Sequence, residues 1–337
     1  MIGPRDLSVD EGRRRVLAAV ATASLLAFGR QGSAKSGRAL EIIGAPSNLG
    51  LRPPKPGHEP GVWQAPKVLR ELGVIGRLSA KDLGDLERPA YHPEPDPVTN
   101  FRNGAALPRF TRALAGKIGE SLDRGAFPLV LGGDCSVMLG SALALGRRGR
   151  YGLLFIDGHP DFYVAAGPHT AAGVDLALTT GHGPRELTDL DGLRPYIDAH
   201  DTAVVAHRDF TDEPGYSFAA FRASGVRQWP LDTLREHGIA ATMRDVRAYL
   251  EKPGLRGFWI HLDVDVLDPK IMPAVDSLDP GGLQAKELGD LLGLALASPQ
   301  CVGLHITIYD PELDPDRRYG RLLVDTLTTA FQQRSQQ

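Results

Sequence analysis

The chain of 337 residues carries 38 Lys and Arg against 41 Asp and Glu, a formal net charge of -3, and 42% of its residues are hydrophobic. That near-neutral balance leaves no electrostatic footprint for nucleic acid, and the apolar share excludes a disordered chain and supports a sizeable core. Two cysteines form no disulfide framework, and 39 Gly with 26 Pro place many loops between short elements.

In chain order, the first apolar run is Val16 to Gly29, preceded by Arg13, Arg14 and Arg15 and followed by Gly32, Ser33 and Ala34. It is shorter than the roughly 20 residues of a membrane span, so stable membrane insertion is not expected. Basic, then apolar, then small residues is the order of a secretory leader, and paired arginines point to the twin-arginine export of folded proteins. Asp6, Asp10 and Glu11 fit a surface helix or an over-extended N-terminus instead. Residues 1–38 are therefore set apart, as the leader of an exported protein or the extension of a cytoplasmic one, and 39–337 are read as one domain.

From Leu40 onward, short apolar runs alternate with longer amphipathic ones. Strands are expected at Leu40 to Ile43, Phe127 to Leu131, Tyr151 to Ile156, Thr202 to Ala206, Gly257 to Asp263 and Val302 to Ile308. Helices are expected at Pro66 to Leu72, Leu107 to Leu122, Ser136 to Arg147, Thr242 to Leu250, Lys286 to Leu296 and Leu322 to Gln332. The Pro-rich stretch Arg88 to Asn100 reads as a loop. Such alternation argues for an α/β fold of three layers, αβα, with a mainly parallel central sheet.

The chemistry gathers at strand ends, where open α/β sheets place their sites. Asp157-Gly158-His159-Pro160-Asp161 follows one strand, and alternate residues on extended backbone project to one side, so Asp157, His159 and Asp161 can share a metal ion. Alone, this motif also fits a solvated loop. His261-Leu262-Asp263-Val264-Asp265-Val266-Leu267-Asp268-Pro269 ends a second strand, with Asp263 and Asp265 on one side, where two carboxylates repel unless a cation or a proton intervenes. Five acidic or imidazole ligands exceed what one zinc requires and point to two bridged metals. A third segment, Leu131-Gly132-Gly133-Asp134-Cys135-Ser136, brings Cys135 to the same sheet edge through a glycine turn.

These segments resemble the arginase, agmatinase and formiminoglutamase family, the ureohydrolases, whose Gly-Gly-Asp-His-Ser, Asp-Ala-His-x-Asp and Ser-x-Asp-x-Asp-x-x-Asp-Pro occur in the same order as segments 132–136, 157–161 and 261–269. Ile42-Ile43-Gly44-Ala45-Pro46 and Pro280-Gly281-Gly282-Leu283 with Glu287 add to the likeness, which runs from about residue 42 to about 330. The resemblance implies two divalent ions, usually manganese, bridged by Asp157 and Asp263, with Cys135 and Asp161 completing one and His159 and Asp265 the other. It implies that a hydroxide between the metals attacks a guanidinium or amidine carbon, with Asp161 taking the proton and passing it to the departing nitrogen. It also implies a homo-oligomer, a trimer or hexamer, acting on a small molecule.

Three departures from the family pattern shape the expected substrate. Cys135 stands where the family has a histidine ligand; as a thiolate it favours zinc or iron, and as a buried thiol it ligates nothing. Ile308 stands where a family glutamate meets the substrate guanidinium, so plain arginine is not the expected substrate. The family's shuttle histidine aligns near Ala172 or Gly173, leaving His169 or His182 as a substitute or as loop residues. Arg208 and Asp209, after another strand, resemble a loop that meets the substrate's polar end, although an ion pair fits Arg208 equally. His261 replaces the family serine and is read as a packed residue, Cys301 as core, and Asp276 and Asp279 as solvent-exposed. The expected activity is hydrolysis of a linear C–N bond in an amidine or guanidine. The alternatives are hydrolysis of a formimino or amide group on the same metals, or a metal-binding relative without activity.

Overall fold

A computed structural model of the chain describes Met1 and residues 38–162, 168–208 and 218–335; the leader expected before residue 38 lies outside the described residues, as does Asp209. Among the described residues, eight strands build one sheet: β1 Leu40–Ala45, β2 Lys81–Asp85, β3 Phe127–Gly132, β4 Gly152–Ile156, β5 Thr202–Val205, β6 Arg227–Trp229, β7 Phe258–Asp263 and β8 Cys301–Thr307. Their order is β2-β1-β3-β8-β7-β4-β5-β6, and every pair is parallel.

The helices that cover the sheet include α1 Ala65–Glu71, α2 Leu107–Asp123, α3 Val137–Gly146, α4 Asp175–Thr179, α5 Ile239–Leu250, α6 Ala285–Leu296 and α7 Arg318–Ser335. Successive strand residues face opposite layers. Leu154, Ile156, Ile260 and Leu262 pack with residues of α1, α5, α6 and α7, whereas Leu153, Phe155 and Trp259 pack with residues of α2, α3 and α4. Because both faces are covered, β4 and β7 are buried along their whole length, which is why they read as continuous apolar runs.

Helix composition follows position. α2 buries Leu107, Phe110, Thr111, Leu114, Ala115 and Ile118, the three-to-four spacing of one face turned inward. α3, Val-Met-Leu-Gly-Ser-Ala-Leu-Ala-Leu-Gly, has almost no polar face and is buried on all sides. At α6, Glu287 accepts a hydrogen bond from the Gln284 backbone N–H at 2.7 Å, so this acid of the family-like element caps a helix start.

The two outermost strands were not expected from the sequence. β2 is Lys-Asp-Leu-Gly-Asp and mostly exposed, and β6 is three residues long. Edge strands of this kind are short and charged and lack the apolar run that betrays an inner strand. No helix among the described residues is long and apolar enough to cross a membrane.

Candidate metal centre

The four central strands β3, β8, β7 and β4 are mutual neighbours, and each delivers part of one site at its carboxyl end. Ile156 pairs with Leu262 and Asp263 with Thr307, so Asp157, Asp263 and Thr307 leave the sheet side by side. Cys135 reaches the same edge because β3 ends in a turn held by Asp134. That carboxylate accepts from the Gly50 N–H at 3.0 Å, the Ser136 N–H at 2.8 Å and the Ser47 hydroxyl at 2.8 Å. A side chain at Gly133 would meet the Ser47 carbonyl oxygen 1.8 Å from its Cβ, so the turn admits only glycine.

The expected ligands converge. Cys135 Sγ lies 2.7 Å from Asp263 Oδ2 and 3.2 Å from Thr307 Oγ1. Asp263 Oδ1 accepts from the Asp265 N–H at 2.8 Å, and Asp157 Oδ1 accepts from the His159 N–H at 2.6 Å, so each motif bends back on its first carboxylate. His159 Nδ1 is 3.0 Å from Asp265 Oδ2 and its Nε2 is 2.8 Å from Asp279 Oδ2. Donor atoms of Asp157, His159 and Asp265 lie within 4.8 Å of one another, as do those of Cys135, His261 and Asp263, and those of Cys135, Asp161 and Asp175.

The cluster is buried and rich in carboxylates. Burial first, and neighbouring carboxylates second, push Asp161, Asp175 and Asp263 well above the ordinary carboxylate range. Burial and Asp263 likewise push the Cys135 thiol up. Burial alone would lower His159, but Asp265, Asp157 and Asp279 outweigh it and hold the ring well above its usual value. Asp157 Oδ2, both oxygens of Asp175 and His261 Nε2 are buried without a hydrogen bond. Carboxylates in this state call for a cation or a proton, and the carboxylate, imidazole and thiol set fits divalent ions.

A cavity of about 460 Å³ opens above the cluster, lined by Cys135, Asp157, His159, Asp161, Asp263 and Asp265 together with Arg52, Arg102, His169, Asp276, Asp279 and Ile308. Ile308 is 2% exposed and has φ +71°, a conformation that a β-branched residue rarely adopts. Its N–H donates to the Gly133 carbonyl at 2.8 Å, which ties the end of β8 to the Cys135 turn. Asp161 also has positive φ, +43°.

Other expected residues divide. His169 lines the cavity, whereas His182 is absent from its wall and lies against Phe162, ring centroids 5.5 Å apart. Arg208 is not among the residues lining the cavity: its Nη2 donates to the carbonyls of Asp265 at 2.7 Å and Leu267 at 3.2 Å, so it buttresses the second motif. His261 is packed as expected, stacked on Phe155 with centroids 4.3 Å apart, but its Nε2 also faces Asp157 Oδ2 at 3.4 Å. The Trp259 Nε1–H can only donate, so His305 Nδ1 accepts it at 2.8 Å. Neutral His305 then donates from Nε2 to His261 Nδ1 at 2.6 Å, and the His261 proton falls on Nε2, toward Asp157. Burial, which lowers the His305 ring well below its usual value, keeps His305 neutral.

Sequence reading missed Asp175, and missed that Asp279, whose side chain is 41% exposed as expected, also meets His159. Asp175 opens α4 and reads like any acid in a first helical turn, and Asp279 stands 120 residues from its partner His159 in the chain.

The model of the arginase family matches residues 38–331. Arginase of Staphylococcus aureus strain COL is 27% identical over 307 residues, covering 87% of this chain and 97% of that protein. Human arginase-1 is 31% identical over 76% of this chain and 79% of its own. The crystal structure of arginase from Bacillus caldovelox superimposes with a TM-score of 0.77 at 25% identity, covering 88% of this chain and 98% of that one. With the fold, the ordered motifs and their convergence at one sheet edge, these matches place the chain in the arginase family.

Proposed function

We propose that this protein hydrolyses a linear C–N bond in an amidine or guanidine less basic than arginine. Members of its family are hydrolases acting on C–N bonds in linear amidines. The observation that carries the substrate reading is Ile308: it closes the cavity beside the acid cluster with an apolar side chain, so nothing at that point pairs with a full guanidinium charge. Arg52 and Arg102 on the cavity wall favour a substrate with a carboxylate tail.

Asp157 and Asp263 would face both ions, Cys135 and Asp161 one of them, and His159 and Asp265 the other. Manganese suits so carboxylate-rich a set, and the thiol also admits zinc or iron. Divalent ions, when bound, supply Lewis-acid polarisation of the scissile carbon and of the attacking water. Asp161, held into the cavity, takes the proton of that water at its carboxylate and returns it to the departing nitrogen. Asp279 fixes the His159 ring through Nε2, leaving Nδ1 turned to the cluster. His169 stands on the wall as a second proton carrier.

The arginines also support hydrolysis of a formimino or amide group on an anionic substrate, which needs no partner for a guanidinium. Turnover by the chain reloaded with manganese or zinc, across arginine, agmatine, acylated guanidines, formimino acids and amides, tests both readings. A weakly basic substrate is expected to exceed arginine in kcat/KM by at least about 100-fold, the value of one unpaired buried charge. Ile308→Glu is expected to narrow that gap by raising arginine turnover. Arginine as the best substrate of the unaltered chain refutes the substrate reading, and no turnover of any compound by the fully loaded chain refutes the enzyme.

A further inference from the structure

We infer that Asp175, which no motif of the chain includes, is a ligand of the metal held by Cys135 and Asp161; this rests on the metal-centre reading above. Asp175 is 0% exposed, and neither of its carboxylate oxygens makes a hydrogen bond. Its ligand oxygen lies within 4.8 Å of both Cys135 Sγ and a carboxylate oxygen of Asp161. No Lys or Arg is paired with it among the described residues. The nearest imidazole atom, His261 Nδ1 at 3.9 Å, accepts a hydrogen bond from His305 and has no proton to give. The Asp161 carboxyl and the Leu176 N–H approach it, and a fully buried carboxylate with no cationic partner carries a large desolvation penalty unless a cation arrives or a proton is shared.

The position also has a steric logic. A cysteine side chain ends one atom beyond Cβ, whereas an imidazole at the same place extends farther into the cluster, so Cys135 leaves coordination volume open. Asp175, the first residue of α4, brings a carboxylate oxygen within 4.8 Å of the Cys135 sulfur. The pair replaces one neutral nitrogen donor by a thiolate and a carboxylate, which binds a divalent ion more tightly and makes it less electrophilic. Such a shift accords with a substrate other than a guanidinium cation.

The test uses the full chain, freed of metal and reloaded with cobalt(II), whose visible and thiolate charge-transfer bands report the ligands, with elemental analysis for stoichiometry. The unaltered chain is expected to hold two ions and show the thiolate band. Asp175→Asn, nearly the same in shape, is expected to hold about one ion, or to bind the second at least about tenfold more weakly, and to lose or shift the thiolate band. Two ions with unchanged affinity and spectrum in Asp175→Asn overturn the assignment and leave Asp175 as a proton-sharing partner of Asp161. An unaltered chain that takes up no ion overturns the metal-centre reading itself, and this inference with it. Should Asp175→Asn not fold, Asp175→Glu carries the test: a changed cobalt spectrum supports ligation and an unchanged one overturns it.

Discussion

One buried acid and a cluster of four stand at opposite ends of the same sheet and are treated in opposite ways. Asp201 precedes β5 at its amino end, is 0% exposed, and accepts from Arg150 Nε at 2.5 Å and Nη2 at 2.8 Å, with Lys252 Nζ 2.9 Å away. Burial would raise this carboxyl, but Arg150 and Lys252 outweigh it and hold it below the ordinary value. At the carboxyl end of the same sheet, Asp157, Asp161, Asp175 and Asp263 crowd together with no Lys or Arg paired to them among the described residues, and burial drives three of the four upward. The difference separates acids that hold the fold together from acids kept ready for something the chain does not supply. A structural acid is neutralised by its own chain, whereas a functional one is left under-paired at a cost to the apo fold.

Replacement by asparagine tests that contrast through the sign of its effect. The largest change is expected in Asp263→Asn, which removes the carboxylate proposed above to face both ions. Turnover is expected to fall by at least about 1,000-fold, equivalent to losing several kcal/mol of metal-assisted stabilisation, and elemental analysis should find fewer than two ions per chain. The apo form of the same variant should melt higher than the apo wild type, because one of several crowded, buried carboxylates is gone; a lower melting temperature would contradict the comparison. Asp201→Asn is expected to do the reverse, leaving metal content unchanged and lowering stability by about 1–2 kcal/mol, a value kept small because Arg150 is half-exposed and screened. Since the Asp201 carboxyl is depressed in the folded chain, its contribution is complete above the ordinary carboxylate value of 3.8 and fades as pH falls through the lower folded value. Urea unfolding of both chains at neutral pH and near pH 3 should therefore show the gap shrinking in acid.

The legible part of this molecule is local. Asp157, His159 and Asp161, like Asp263 and Asp265, sit within a few residues of one another after an apolar strand, so spacing and strand polarity together announce a site. Cys135 was legible through its glycine turn and its place in the motif order. Asp175, Asp279 and the Trp259, His305, His261 chain were not, because each matters through a partner distant in sequence and carries no spacing of its own. Arg208 stayed open between a structural and a substrate role for the same reason: the two carbonyls its guanidinium meets lie more than fifty residues on. Among the strands, β4 and β7 were visible because both faces are buried, and β2 and β6 were hidden because an edge needs charge and brevity rather than an apolar run.

A smaller effect sharpens the comparison at the one neutral-looking member of the acid cluster. Cys135 is 1% exposed and touches Asp263 and Thr307, so it is either a ligand or merely a small core residue that fills the place of a larger one. Cys135→Ser decides between these, because the hydroxyl fits the same space but lacks the soft donor. For a ligating thiolate, the dissociation constant for Zn2+ should rise at least about tenfold, near 1.4 kcal/mol, while that for Mn2+, a harder ion held mainly by carboxylates, moves by less than about threefold. Competition titrations of the two ions against a chromophoric chelator read both numbers in one experiment. A parallel loss for both ions points to a packing defect, and no loss for either removes sulfur from the ligand set, leaving the carboxylates to hold that metal without it.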